Sequence, residues 1–231
     1  MQTQPQTAAN VDPAMLRQTA VDCQIRPFGV SDQGVLARFL DVPREMFAPA
    51  GVESLIYSDS ELRHPLAAGG YRAMLAPLVL ARMLQAAEIG PADVVLDVAG
   101  ATGYTAALVS GLAGKVVALE SDAGLSAAAA ANFKALGLAN VEAFKGALRD
   151  GSAAKGPFDV VIVNGAAEEG LDQLLAQLSP AGRLLTLHPQ TAGAAQVVLY
   201  RRDGSSFSRL SLLEGAGKIV PEFARKPGFA F

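Results

Sequence analysis

Val94-Val95-Leu96-Asp97-Val98-Ala99-Gly100-Ala101-Thr102-Gly103-Tyr104 reads as a buried strand, a tight turn of small residues and the start of a helix. Val94 to Val98 is a short β-branched run, and helical character resumes from Tyr104 to Leu112. Between them the small residues let the backbone turn sharply and approach a ligand, while the first N–H groups of the helix point to the same place. A nucleotide-type ligand suits such a turn. The candidate contacts here are Asp97, Ala99, Gly100, Ala101, Gly103 and Tyr104.

Downstream, strand and helix patterns alternate. Lys115 to Glu120 predicts a second strand, Ala123 to Leu136 a helix, and Val141 to Phe144 a third strand. Phe158 to Val163 is apolar except for Asp159, as expected of a central parallel strand buried on both faces. A helix over Glu169 to Leu178 and a strand over Arg183 to Leu187 follow. Gln196 to Tyr200 and Phe207 to Leu213 flank a polar turn at Arg201 to Ser205, which predicts an antiparallel hairpin. The pattern points to an α/β fold: a doubly wound, mostly parallel, Rossmann-like sheet with antiparallel C-terminal strands. Glu120, closing the second strand, can accept hydrogen bonds from both ribose hydroxyls of an adenosine; the alternative is a solvated strand end. Ser121, Gly146, Ala147 and Asn164 fall on the same ligand edge of the sheet.

Upstream, Asp12-Pro13 opens a helix ending near Pro27, and Ser31-Asp32 opens another with Val35, Leu36, Phe39 and Leu40 on one face. Residues 50–72 lack a clear period and suggest loop with a short hairpin. Pro77 suits the first position of a helix that runs to about Glu88 and stops at Gly90-Pro91. The organisation expected is a frayed tail over 1–10, a helical extension with an acceptor-side loop over 11–90, and a ligand-binding domain over 91–231.

Composition narrows the function. The 231 residues are 51% hydrophobic and 18% charged, enough for a sizeable core without staples. Nineteen basic against 22 acidic residues and a pI of about 5.4 offer no broad footprint for nucleic acid or an anionic membrane. No apolar run approaches a membrane span. One cysteine, Cys23, and two histidines, His64 and His188, exclude a disulfide framework and a Cys- or His-rich metal site. No targeting segment is evident, so a cytoplasmic monomer or homodimer is expected.

Two cofactor classes use such a turn. Gly100-Ala101-Thr102-Gly103 looks like the loop of some NAD(P)-binding oxidoreductases, with Ala106 supplying the small packing residue. S-adenosylmethionine (SAM) methyltransferases carry acidic-x-G-x-G-x-G, and Asp97, Ala99, Ala101 and Gly103 fall at its positions, two glycines being replaced by alanine. A carboxylate at Asp97 suits SAM, whose methionine part bears an ammonium and a sulfonium. Leu178-Ser179-Pro180-Ala181-Gly182-Arg183-Leu184 resembles the methyltransferase L-x-P-G-G-x-L turn.

Gln24-Ile25-Arg26, Gly29-Val30, Val42-Pro43-Arg44-Glu45-Met46-Phe47-Ala48-Pro49 and Gly103-Tyr104-Thr105-Ala106-Ala107 are more specific. Through them the chain resembles the protein-L-isoaspartate O-methyltransferase family over nearly its whole length. The resemblance implies a class I methyltransferase fold, SAM as cofactor, and methyl transfer to the α-carboxylate of an isoaspartyl residue. Such an acceptor is already ionised, so the chemistry needs positioning and electrostatic help more than a base.

The acceptor segment departs from the family. Where the family has G-x-x-I-S-Q-P, with its Ser hydroxyl beside the reacting carboxylate, this chain has Tyr71-Arg72-Ala73-Met74-Leu75-Ala76-Pro77. Leu75 replaces the Ser and cannot donate a hydrogen bond. Gly146-Ala147 replaces the Gly-Asp whose carboxylate accepts the adenine amino group. An altered acceptor specificity is one expectation, and a degenerate member that binds a partner or metabolite without turnover is the other. Arg72, Met74, Leu75 and His188 are the candidate acceptor residues; for Arg72 an exposed position is the bland alternative. Cys23 is expected in the core, His64 at the surface, and Pro221-Glu222-Phe223 and Phe229-Ala230-Phe231 against a hydrophobic edge.

Overall fold

A computed structural model describes residues 12–190 and 195–225. The expectations for the tail over 1–10 and for Phe229-Ala230-Phe231 lie outside them. Asp12 caps α1 (Pro13–Ala20), its carboxylate accepting from the Ala14 N–H. A wide helical turn over Val21–Ile25 continues it, and Gly29 in the left-handed region ends the run. The buried stripe is Ala20, Val21 and Ile25, so Cys23 falls on the opposite side and is exposed, not in the core as expected. Asp32 caps α2 (Gln33–Asp41), which buries Val35, Leu36 and Phe39.

The loop region holds the expected hairpin, β1 (Leu62–Pro65) against β2 (Tyr71–Met74), with His64 opposite Arg72. Pro77 then starts α3 (Pro77–Ala87). Alternation begins at β3 (Val94–Val98) and continues through α4 (Tyr104–Ser110), β4 (Lys115–Glu120), α5 (Ala123–Ala135) and β5 (Val141–Lys145). It ends with β6 (Phe158–Ala166), α6 (Asp172–Ala176), β7 (Leu178–Pro189), β8 (Ala195–Asp203) and β9 (Ser206–Gly215).

Seven strands form one sheet in the order β5-β4-β3-β6-β7-β8-β9. Pairings from β5 through β7 are parallel, and β7–β8 and β8–β9 are antiparallel. The doubly wound sheet and its C-terminal hairpin are those the sequence predicts. Two lengths differ. The helix expected over Glu169 to Leu178 shrinks to α6, because Leu178 is drawn into the sheet opposite Phe158. The strand expected to end at Val163 continues through Asn164 to Ala166, which exchanges hydrogen bonds with Lys218 and Val220 of the C-terminal segment.

Alternate strand residues feed two cores. Val95, Val116, Val160, Ile162 and Leu185 pack with the N-terminal helices, α3, α4 and α5. Leu96, Val98, Val117, Val161 and Leu184 pack with Leu174, Leu178 and Phe223 on the other face. Each such side chain contributes about 1.5–3 kcal/mol. Phe223 is fully buried there, so the expected packing of the Pro221-Glu222-Phe223 turn is found. Among the described residues no helix is long and apolar enough to cross a membrane.

Candidate active site

Strand order reverses between β3 and β6, and ligands of doubly wound sheets bind in the crevice outside the carboxyl ends at such a point. The turn after β3 lies there. Ala99 and Ala101 hold φ of 61° and 53°, the left-handed region where glycine is the usual residue, and Gly103 holds 94°. A Cβ on Gly103 would stand 2.5 Å from the Phe133 ring, and one on Gly100 would collide with Asp97 Oδ2. The turn thus keeps a glycine backbone with two alanine side chains. Left-handed backbone costs about 1–2 kcal/mol per alanine. Both methyls are buried, which offsets part of that cost.

Asp97 is completely buried. Its Oδ1 accepts from Asn164 Nδ2 at 2.5 Å, and Asn164 Oδ1 in turn accepts from Thr105 Oγ1 at 2.6 Å. Asp97 Oδ2 has no partner. Burial pushes the carboxyl up to about 7, against the Asn164 hydrogen bond, and the charge of Glu120 adds to the rise. An orphaned buried acceptor beside a turn too tight for a Cβ at Gly100 fits a ligand carrying a cationic N–H group. Asn164 itself points at Asp97 and Val98 O. Its place is behind the carboxylate.

Glu120 ends β4 and is 3% exposed. Its carboxylate accepts from the N–H groups of Ser121 and Asp122 and from Arg72, whose Nε and Nη2 lie 3.1 and 2.9 Å from its oxygens. Arg72 is therefore not the exposed arginine allowed for above. It is 1% exposed, reaches across from β2, and pairs also with Glu222 at 2.8 Å. Burial opposes its charge, but the hydrogen bonds to Glu222 and Glu120 outweigh that and hold the guanidinium above its ordinary value. Burial likewise opposes ionisation of Glu222, and the bonds from Arg72 and Ser121 overcome it, bringing the carboxyl down to about 2.

Two cavities flank this cluster. One of about 600 Å³ is lined by Ser121, Ala147, Leu148, Arg149, Pro221 and Glu222. The other, of about 220 Å³, is lined by Leu66, Ala67, Ala68, Ser121, Asp122 and Glu222. Gly146 is placed beside them by its N–H, which donates to Glu120 O at 3.1 Å.

The acceptor segment is mostly core. Leu75 is 1% exposed and Met74 is buried with it. Leu75 O accepts from Arg44 Nη2 at 3.1 Å, and Arg44 Nε donates to Ile56 O at 2.9 Å. The Arg44 guanidinium stands 4.9 Å from the Tyr104 ring centroid, so the V-P-R motif is braced against the first residue of α4. Tyr104 is thereby buried away from the crevice by Arg44, Phe39 and Phe47. His64, expected at the surface, is buried because β1 packs inward; burial pushes its imidazole down to about 4 against the Phe47 backbone, and its Nε2 has no partner. His188 lies at the carboxyl end of β7 and bonds Pro189 O at 3.0 Å, with no link to Asp97 or Glu120. Among the described residues no group of His, Cys, Asp and Glu could hold a metal.

The structure thus brings together Asp97, Gly100, Asn164, Glu120, Ser121 and Arg72, and leaves His188 apart. Glu222 and Thr105 were not foreseen in the site. Neither carries a local signal: Glu222 is distant in sequence, and Thr105 looks like any residue in a first helical turn.

A family model described as Protein-L-isoaspartate(D-aspartate) O-methyltransferase matches residues 17–211. Curated relatives include a protein-L-isoaspartate O-methyltransferase of Koribacter versatilis (strain Ellin345), 37% identical over 74% of this chain and 76% of its own. Another, of Methanoregula boonei, is 35% identical over 89% of this chain and 91% of its own. Among solved structures, a protein-L-isoaspartate O-methyltransferase aligns at TM-score 0.77 and 23% identity, covering 90% of this chain and 66% of its own. A Plasmodium falciparum structure, titled as a putative enzyme of this kind in complex with S-adenosyl-L-homocysteine, aligns at TM-score 0.71 and 17% identity over 91% of this chain and 99% of its own. These two share its fold. The extent of the family match and the identity to the curated relatives establish that the chain belongs to the protein-L-isoaspartate(D-aspartate) O-methyltransferase family of SAM-dependent methyltransferases.

Proposed function

We propose that the chain binds SAM in the crevice outside β3, β4 and β6 and directs its methyl group to a carboxylate acceptor that the family's usual serine does not position. The observation that carries this reading is the unpartnered, buried Oδ2 of Asp97 at the reversal point of the sheet. Bound there, SAM supplies an electrophilic methyl group. Asp97, ionised, holds the ammonium of the amino-acid end, and Asn164 and Thr105 fix the carboxylate for that task. Glu120 offers Oε2, which has capacity beyond its bond from Arg72, to the ribose. Ser121, Ala147 and Leu148 line the cavity available to the adenine. Gly100, Ala101 and Gly103 form the close-approach turn.

Leu75 supports the altered acceptor. Its side chain belongs to the core, so no hydroxyl from this position reaches a carboxylate. The same observation favours a second reading, a member that binds SAM or a metabolite without turnover. An NAD(P)-dependent oxidoreductase loses its support, since it rested on the turn alone. We assign the protein to the cytoplasm, where an exposed thiol such as Cys23 stays reduced.

Calorimetric titration with SAM, its demethylated product and NADPH tests the cofactor. Micromolar affinity for either of the first two and none for NADPH is expected; no binding of SAM or its product would sink the reading. A labelled-methyl assay on an isoaspartyl peptide separates the acceptor alternatives: turnover at the rate of an ordinary family member would overturn the altered acceptor.

A further inference from the structure

Arg72 carries two carboxylates on two edges of one guanidinium. Its side-on edge holds Glu120 through Nε and Nη2. Its end-on edge holds Glu222, Nη1 lying 3.0 Å from Oε2 and Nη2 2.8 Å from Oε1, a bidentate fork. The two partners differ in how firmly they are fixed. The Glu120 side chain is 4% exposed and tied to the Ser121 and Asp122 N–H groups, whereas the Glu222 side chain is 31% exposed and held, besides Arg72, by the Ser121 hydroxyl at 2.6 Å. Glu222 also owes its position to an anchor that does not involve its carboxylate: Phe223 is fully buried, and Arg149 Nη2 donates to Ala224 O at 3.1 Å. A side-chain rotation therefore frees the fork while the anchor stays.

Charge decides what would take its place. Arg72 and Glu120 neutralise each other, so the vacated edge of Arg72 would leave Nη1 without an acceptor and Nη2, on that edge, with only the Ser121 hydroxyl at 3.0 Å, in a poorly solvated place. A second carboxylate restores their bonds at no change in net charge. Ser121 and Glu222 also border both the 600 Å³ and the 220 Å³ cavities, so rotation of Glu222 opens the fork to a ligand arriving from either side.

We propose that the Nη1/Nη2 edge of Arg72 is a recognition site for a ligand carboxylate, and that Glu222 is its built-in occupant, displaced when the ligand binds. The placement beside the cofactor rests on the methyltransferase reading above. The carboxylate belongs to the methyl acceptor or to the amino-acid end of the cofactor, and Glu222 competes with either at high effective concentration.

The test compares the full chain with Glu222→Gln and Glu222→Ala, all checked for native circular dichroism. Each is titrated with S-adenosylhomocysteine and with 5′-methylthioadenosine, which lacks the amino-acid end. Each is also titrated, without cofactor, with an isoaspartyl peptide blocked at its C-terminus and with the same peptide amidated at the isoaspartyl α-carboxylate. At least tenfold tighter binding of one carboxylate ligand, with its carboxylate-free twin unchanged, is expected. A gain for S-adenosylhomocysteine assigns the fork to the cofactor; a gain for the peptide assigns it to the acceptor. Arg72→Gln added to Glu222→Ala should cancel the gain. A change under threefold for every carboxylate ligand, or an equal gain for the twins, overturns the proposal. Unchanged, measurable nucleoside binding would then leave the methyltransferase reading standing. If no nucleoside binds any of the proteins, that reading fails, and the peptide titrations still decide the carboxylate site.

Discussion

Asn164 donates its Nδ2 N–H to Asp97 Oδ1 at 2.5 Å while accepting from Thr105 at 2.6 Å, so helix α4, strand β6 and the Asp97 carboxylate at the end of β3 are joined through one buried side chain. The arrangement leaves Asp97 with one satisfied and one free oxygen. Asn164→Ala removes the donor and strands both neighbours. We expect a loss of about 1–3 kcal/mol in urea denaturation, together with weaker SAM binding at neutral pH, because the ionised form of Asp97 loses its hydrogen bond.

Asp97 and His64 give the pH dependence of stability opposite signs. Asp97 rises to about 7 in the folded chain, so between 3.8 and 7 the folded state binds more protons and stability falls as pH rises. His64 falls to about 4, so between 4 and 6.5 the unfolded state binds more protons and stability rises with pH. Each slope is at most about 1.4 kcal/mol per pH unit. Relative to wild type between pH 4.5 and 6, Asp97→Asn should add an upward slope and His64→Leu a downward one. Thermal melts across that window check both.

On the proposed function, the free Oδ2 of Asp97 should make SAM binding pH-dependent as well. An ammonium favours the ionised carboxylate, so binding is coupled to loss of a proton below about 7. Calorimetry at pH 8 and pH 6 should show tighter binding at the higher pH, and Asp97→Asn should abolish both the affinity and its dependence.

Among the described residues three alanines hold left-handed backbone, and burial predicts how each responds to glycine. Ala181, at φ 63° in the turn where the methyltransferase pattern has Gly, is exposed. Ala181→Gly relieves about 1–2 kcal/mol of strain against about 0.5–1 kcal/mol of added chain freedom, so it should stabilise by about 0.5–1 kcal/mol. Ala99 and Ala101 also lose a buried methyl worth about 0.8 kcal/mol, so Ala99→Gly and Ala101→Gly should change stability little. Their effect should appear in cofactor affinity instead, as a gain in the same titrations.

Leu75→Ser restores the family residue at a cost. The side chain is 1% exposed in the main core, so the replacement leaves a cavity and buries a hydroxyl. A loss of about 2–5 kcal/mol is expected from core truncations of this size. If the missing hydroxyl is what limits isoaspartyl methylation, the variant methylates an isoaspartyl peptide above the wild-type rate despite that loss. Destabilisation without any gain would place the limitation elsewhere.

Much of the fold was legible because its causes are local. Asp12-Pro13 and Asp32 cap their helices, the apolar run from Val160 to Val163 is a strand buried on both faces, and the polar turn at 201–205 closes a hairpin. Two misreadings share one cause, which is that exposure depends on neighbours remote in sequence: His64 and Arg72 could be read only by residue type and were folded inward by the hairpin. Cys23 has a local cause, since the phase of its own wide helical turn faces it outward.

The sequence by itself determined the sheet, its turn and the family, since period, small residues at the end of a strand and V-P-R-x-x-F-x-P are properties of neighbouring positions. Tertiary structure alone decided the chemistry around that turn. It set the sign of φ at Ala99 and Ala101, left Oδ2 of Asp97 without a partner, and joined Arg72, Glu120 and Glu222 from three distant segments. Charge pairing and desolvation act through space, so carboxylates far apart along the chain became one cluster on a single guanidinium.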